Sequence, residues 1–305
     1  MEVEIFTKDW FGKLWRPEQK SNGEDNGQVT IIGGSQLFHG APILSLKAAS
    51  RIVDMVFFAT PEQSVGRVAE GLKSKLLSFI WIPWEEVRDY VQKSDAILIG
   101  PGFMRFRSEK TTHGEREHVC DEACMLTSKI TYDLLRDFPN KRWVIDAGSL
   151  QVARPGWIPK GAVLTPNGKE LVALFSEDFP EILDFKPPVS GHLLNPKFQE
   201  LVQKISEKYE CTMVVKGPSS LVCGEGRCVV VNGGNAGLTK GGSGDVQAGL
   251  TTALLAKNDP LLSASAAAFM VKAAGDALYE RVGTFYNTDD LADKVFSTYS
   301  LTIQK

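Results

Sequence analysis

The chain has 305 residues, of which 43% are hydrophobic and 23% charged, and its formal net charge is −3. That apolar content supplies a core for one large α/β domain or two small ones, while the mild acidity excludes a general nucleic-acid or anionic-membrane surface. No apolar run approaches a membrane span, the acidic opening MEVEIFTKDW is unlike a secretory leader, and the five cysteines form no disulfide framework, so a cytoplasmic protein is expected.

Residues 1–27 read as an N-terminal arm, turn-rich at Ser21-Asn22-Gly23-Glu24-Asp25-Asn26-Gly27. From residue 28 onward, strand-like runs recur at Val29–Ile32, Val53–Ala59, Leu76–Ile82, Ala96–Ile99, Trp143–Ile145, Val163–Leu164 and Met213–Val215. Helical patterns over Ile43–Arg51, Trp84–Gln92, Ile130–Asp137 and Asn195–Tyr209 separate most of them. Such alternation predicts a mostly parallel sheet with helices on both faces. Five of the runs end in glycine or turn signals: Gly33-Gly34-Ser35, Gly100-Pro101-Gly102, Asp146-Ala147-Gly148, Thr165-Pro166-Asn167 and Lys216-Gly217-Pro218. Carboxyl ends of strands form the ligand crevice of open α/β sheets, so these five segments are expected to converge on one site.

Two stretches depart from the alternation: a charged insertion at Met104–Glu117 and a loop-like one at Ser176–Pro196. His113, His118, Cys120 and Cys124 are residue types that bind zinc, but they lie in or near a helical pattern over Glu115–Arg136 and fit no paired Cys-x-x-Cys spacing; no metal is expected there. Cys223 and Cys228 flank a hairpin turn, Gly224-Glu225-Gly226-Arg227, and can face each other across it, although a reducing cytosol argues against a bond.

The stretch Gly234–Gly249, GNAGLTKGGSGDVQAG, carries the chemistry. It lies between the strand-like run Cys228–Val231 and a helical pattern over Val246–Ala256, which puts Asp245 at or beside the first turn of that helix. Free backbone N–H groups and the positive end of the helix dipole converge there, and Gly241, Gly242 and Gly244 let the main chain approach an anion closely. The alternative is a plain glycine loop with Asp245 as its helix cap. A P-loop is excluded because Gly168-Lys169 runs into Glu170, and Gly224-Glu225-Gly226 lacks the third glycine of a dinucleotide loop.

In order along residues 28–282, the segments IIGGSQLFHGAPILSLKAA, ILIGPG, VIDAGSL, LTPNGKEL, MVVKGPSSLV, GNAGLTKGGSGDVQAGL and AAAFMVKAAGDAL resemble the ribokinase-like superfamily, and within it the ADP/ATP-dependent NAD(P)H-hydrate dehydratases. GGSGD before a helix is shared by many small-molecule kinases; GGS and GAP near the start, with TP-x(3)-E, point more narrowly to the dehydratases. The resemblance implies a three-layer α/β/α sandwich over residues 28–305, preceded by the arm and carrying the two insertions. It implies a metabolite-repair enzyme that removes water from hydrated NAD(P)H, with ADP or ATP as phosphoryl donor and Mg²⁺ as its companion. Asp245 would be the base, Gly242, Ser243 and Gly244 an anion hole, and Ala41, Gly102, Asn167 and Asp245 contacts to the hydrated dinucleotide. Lys216, Gly217, Pro218, Ser219, Ser220 and Gly244 would hold the adenine nucleotide, and Glu170 would be linked to Mg²⁺. At a helix N-terminus the Asp245 carboxylate is expected to stay ionised.

The resemblance also implies a homo-oligomer, commonly a tetramer, and, since no epimerase domain stands in this sequence, epimerisation by a separate chain. Three positions depart from the pattern. Asn167-Gly168-Lys169-Glu170 lacks a usual histidine, Phe103-Met104 follows Gly102 where Leu-Gly is usual, and Val271-Lys272 or Lys272-Ala273 replaces a usual His-Gly pair. These changes keep open a small-molecule kinase of the same fold and a non-catalytic nucleotide-binding paralogue.

Overall fold

The computed structural model describes residues 3–72, 76–105, 120–185 and 189–303. Ten strands form one sheet: β1 (Val3–Ile5), β2 (Gln28–Ile32), β3 (Met55–Ala59), β4 (Ile80–Trp81), β5 (Ala96–Ile99), β6 (Arg142–Ile145), β7 (Val163–Leu164), β8 (Thr212–Val215), β9 (Ser220–Gly224) and β10 (Arg227–Val231). Their order across the sheet is β1-β10-β9-β8-β7-β6-β5-β2-β3-β4, with β9 antiparallel to both neighbours and the other pairings parallel. The sheet is therefore mostly parallel, as expected. After β2 the chain winds outward to β4, then returns to β5 on the other side of β2, so the strand order reverses between β2 and β5.

Both sheet faces are covered. Strand residues alternate between two cores: Val29 and Ile31 with Val56 and Phe58 on one side, Ile32 and Phe57 with Ile97 and Ile99 on the other. The first core is closed by α1 (Gly40–Ala49), α2 (Gln63–Leu72), α8 (Ser243–Leu255), α9 (Pro260–Val282) and α10 (Thr288–Ile303). The second is closed by α3 (Val87–Lys93), α4 (Glu122–Asp137), α5 (Ala147–Val152), α6 (Gly168–Phe175) and α7 (Pro196–Lys208). Three layers result, and helices buried on most sides, such as α8, read as apolar nearly all round. The 23-residue α9 is long and apolar enough to cross a membrane by composition, yet 78% of its apolar window is buried inside this protein.

Several expectations change at their edges. The run Leu76–Ile82 shortens to β4, and Ser220–Gly224 adds a strand that the sequence reading passed over. Of the helix expected over Glu115–Arg136, residues 115–119 lie outside the described residues, and α4 begins at Glu122, where the Asp121 carboxylate accepts from the N–H groups of Ala123 and Cys124. Residues 3–14, read above as part of an arm, pair β1 with β10 and bury Phe6, Trp10, Phe11 and Leu14; the Phe6 and Phe11 rings sit 5.3 and 5.5 Å from that of Phe269 on α9.

The hairpin at Gly224–Arg227 forms, with Glu225 and Gly226 both at positive φ (55° and 75°), the backbone of a type I′ turn. Its register places Cys223 opposite Cys228 with Cα atoms 4.1 Å apart, and the two are disulfide-bonded, against the expectation drawn from compartment alone. Cys120 and Cys124 are also joined, which removes two thiols from the zinc-type cluster; His113 and His118 lie outside the described residues.

Candidate active site

The five strand ends meet as expected. At the reversal point, the Gly34 N–H donates to the Pro101 carbonyl at 2.8 Å, locking the loop after β2 to the loop after β5. Gly102 has φ +74°, and a Cβ there would lie 2.3 Å from the Phe38 carbonyl oxygen, so only glycine fits where these loops press together. The hollow beside them, about 220 Å³, is lined by Ala41, Gly102, Met104 and Gln151, with Asp245 in its wall. A neighbouring hollow of about 370 Å³ shares Phe103 and Met104 with it.

A larger cavity, about 710 Å³, opens on the other side of the α8 N-terminus. Asn167, Lys216, Gly217, Pro218, Ser220, Ser243 and Gly244 line it, with Leu238 and Val271 as an apolar wall. The segment GGSGD thus stands between two hollows, Asp245 facing one and Gly244 the other. Gly242 is the residue before the helix, at φ +99°, a left-handed conformation open to glycine at little cost; Asp245 is in the first turn rather than at the cap. Intrahelical bonding leaves the first-turn N–H groups of α8 free, but that of Ser243 donates to the Lys240 carbonyl at 3.3 Å, so Ser243 drops out of the expected anion hole of Gly242, Ser243 and Gly244.

Charge is concentrated here. The Lys216 ammonium lies 2.9 Å from Asp146 Oδ1, and the Thr165 hydroxyl donates to the same oxygen at 2.6 Å. A Cβ on Gly244 would sit 3.2 Å from Lys216 Nζ, which measures how closely this cation approaches the helix N-terminus. Burial alone would lower the Lys216 pKa, but Asp146 and Glu170 hold it above the ordinary lysine value. Burial raises Asp245 most, with the like charge of Asp146 adding to it, and together they push its carboxyl up to about 7 against the pull of Lys216. The helix terminus therefore does not dominate Asp245, contrary to expectation. Its carboxyl titrates where a general base is most effective.

Other sequence-predicted residues take more particular places. Asn167 lines the larger cavity beside Lys216, to which it is bridged in parallel register, rather than the smaller one; its side chain caps α6. Glu170 completes that capping box by accepting from the Asn167 N–H, and its other oxygen accepts from Gln151 Nε2 at 2.9 Å. Both carboxylate oxygens are thus engaged within the chain. The Ser219 hydroxyl meets Asn232 Oδ1 at 3.0 Å, outside the cavity lining, whereas Ser220 is buried and lines it.

Gln151 and Gln247 were given no role by the sequence reading, while Asp146 was read only as part of a converging strand end and Lys272 only as a departure from a usual His-Gly pair. Asp146 ends the strand run Trp143–Ile145 at the same sheet edge as the others, and a lone lysine inside the apolar run of α9 was the available signal for Lys272. Lys272 is 6% exposed, and its ammonium donates to the carbonyls of Gly217, Pro218 and Gly233 at 3.2, 2.7 and 3.1 Å. It ties the loop after β8 to the loop after β10. Burial lowers its pKa to about 8, with Asp276 opposing. Asp276 in turn accepts from the Gly234 N–H and from Asn235 Nδ2. Behind the site, the buried Ser45 hydroxyl of α1 lies 3.4 Å from the Ala41 carbonyl and 2.8 Å from the Asp245 carbonyl, joining α1 to α8.

A family model described as NAD(P)H-hydrate dehydratase matches residues 29–296. The ADP-dependent (S)-NAD(P)H-hydrate dehydratase of Cenarchaeum symbiosum is 29% identical over 272 residues, covering 88% of this chain and 87% of that one. The bifunctional NAD(P)H-hydrate repair enzyme Nnr of Methanocaldococcus jannaschii is 30% identical over 290 residues, 92% of this chain but 50% of its own length, so this chain spans about half of that relative. Among solved structures, a ribokinase-like superfamily protein of Enterococcus faecalis superimposes with a TM-score of 0.77 at 20% identity, over 99% of this chain and 97% of that one. The ADP/ATP-dependent NAD(P)H-hydrate dehydratase of Bacillus subtilis, co-crystallized with ATP/Mg²⁺, gives 0.75 at 18%, over 99% of each chain. At these identities the structural likeness is one of fold.

Proposed function

We propose, on the premise that this chain belongs to the NAD(P)H-hydrate dehydratase family, that its two hollows divide a nucleotide-dependent dehydration between them. The family reaction returns hydrated NAD(P)H to NAD(P)H. Here the smaller hollow takes the hydrated nicotinamide ring and the larger one takes ADP or ATP. One observation carries this division: Asp245 and Gly244, adjacent in the first turn of α8, face opposite hollows.

The steps follow from that placement. The Asp245 carboxylate takes the proton of the ring hydroxyl, whose oxygen forms a bond to the terminal phosphorus of the nucleotide while the bridging P–O bond breaks. Charge developing on the transferred phosphoryl meets the first-turn N–H group of Gly244, and Lys216 stands beside it. The phosphorylated oxygen then leaves with its bonding electrons as inorganic phosphate, and a proton lost from the neighbouring ring carbon restores the double bond. ADP yields AMP, and ATP yields ADP. A Mg²⁺ ion accompanying the nucleotide would neutralise phosphate charge, and Glu170, whose oxygens each accept one hydrogen bond, from Asn167 and Gln151, keeps lone pairs with which it would help hold that ion directly or through water.

The test is to incubate the protein with hydrated NADH and each nucleotide while following reduced-nicotinamide absorbance and inorganic phosphate. Equal release of both is expected. Accumulation of a stable phosphate ester would show a kinase instead, and neither product would overturn the division.

A further inference from the structure

The larger cavity contains a donor that its protein surroundings do not satisfy. Gln247 lies one turn beyond Ser243 on α8, is 6% exposed, and lines the cavity beside Val271 and Lys272. Its Nε2 finds no hydrogen-bond partner among the described residues. The cavity's two ammonium groups are in the opposite state. Lys216 is paired with Asp146, and Lys272 is bonded to three carbonyls. A buried amide N–H without a partner is costly, and buried donors in folded proteins are almost always satisfied. A cost left standing at the wall of a ligand cavity is recovered when a ligand acceptor arrives.

We propose that Gln247 is a nucleotide-contact residue, its Nε2 donating a hydrogen bond to an acceptor on the bound adenine nucleotide. The inference rests on assigning the larger cavity to the nucleotide. Position narrows the contact. A helix rises about 1.5 Å per residue, so Gln247 stands about 6 Å further along α8 than Ser243. It thus faces a part of the nucleotide beyond the phosphoryl group held at the helix N-terminus, on the side of the apolar wall formed by Leu238 and Val271. Because an uncharged donor adds little repulsion or attraction to the anionic phosphates, its contribution is to geometry and selectivity.

A purely structural glutamine and a ligand-facing one give opposite signs on replacement, which makes the experiment decisive. Gln247→Leu and Gln247→Met remove the donor at similar volume. Thermal unfolding of each variant is measured alone, with ADP and with tripolyphosphate, and steady-state rates are measured with hydrated NADH. Without nucleotide, both variants should melt at or above the wild-type temperature, since an unpaired buried donor has gone. With ADP, the stabilising shift should shrink and the nucleotide KM should rise about three- to tenfold, the worth of one hydrogen bond. The KM for hydrated NADH should stay unchanged.

Tripolyphosphate separates the two ends of the ligand. An undiminished shift places the acceptor on the ribose or base, and a diminished one places it on the phosphate chain; the contact stands either way. Variants that melt lower without nucleotide yet keep the full ADP shift would overturn it, as would an unchanged nucleotide KM. If ADP fails to stabilise the wild-type protein, the assignment of the cavity itself falls, and this contact with it.

Discussion

Replacing Asp245 by asparagine should separate catalysis from stability, with opposite signs. The carboxyl titrates at about 7 in the folded protein against an ordinary 3.8. In the wild type, kcat/KM should therefore rise as the base ionises, from about one tenth of its plateau at pH 6 to about nine tenths at pH 8. Asparagine keeps the shape but cannot accept the hydroxyl proton, so turnover should fall about 10²–10⁴-fold and this rise should disappear. Stability moves the other way. A carboxyl whose folded pKa lies above its unfolded value favours folding most at low pH, and that contribution is lost as pH climbs from about 4 towards 7. The full shift of about 3 units corresponds to about 4 kcal/mol. Asp245 is partly open to its hollow, so about 1–3 kcal/mol is the appropriate expectation. The variant should thus be more stable than wild type in urea unfolding at pH 8 and no more stable at pH 4. Near-wild-type turnover in the variant, or a wild-type profile flat between pH 6 and 8, would refute the base assignment.

Three further outcomes are expected. Gly244→Val should weaken nucleotide binding and turnover together, because its Cβ alone would come within 3.2 Å of Lys216 Nζ and the branched side chain would crowd the phosphate position; an ADP affinity like wild type by calorimetry would contradict this. Lys272→Met should raise the nucleotide KM, and wild-type ADP affinity should weaken as pH passes about 8, where the ammonium that binds three carbonyls loses its proton; a pH-independent affinity would remove the clamp from the account. Asn167→His should cost about 1 kcal/mol through the α6 cap and change nucleotide affinity more than that for hydrated NADH; the reverse order, measured by paired titrations, would return Asn167 to the smaller hollow.

The fold was legible because its signals are local: β-branched runs alternating with helical periods dictate a mostly parallel sheet, and Gly-Glu-Gly-Arg dictates a tight hairpin. Asp245 was legible for the same reason, since its neighbours along the chain make the helix terminus. What the sequence concealed depends on residues far apart. The carboxyl of Asp245 is governed by burial and by Asp146, 99 positions away, and these outweigh a dipole that could be read locally. Asn167 was assigned to the dinucleotide side from its strand end and the resemblance, whereas it lines the larger cavity, with a bridge to Lys216 and capping bonds on α6. Gln247 looks like an ordinary member of an apolar helix, and Lys272 like a mere departure from a usual His-Gly pair, until α8 and α9 pack side by side around a cavity. Cys223 and Cys228 were judged by compartment, although the register of the hairpin is what brings them together.

The Ser45 hydroxyl, set between the carbonyls of Ala41 and Asp245, bears on how this site can be altered. The shelf that would receive the nicotinamide ring and the turn that carries the base are joined by this buried contact within the close packing of α1 on α8. Broadening the ring pocket by shifting α1 would drag the base out of line with the phosphoryl donor, whereas trimming side chains on the facing loop, such as Met104, would not. Substrate range in this enzyme should therefore drift through the loop after β5, and selection for a new substrate should leave the pairing of α1 with α8 untouched.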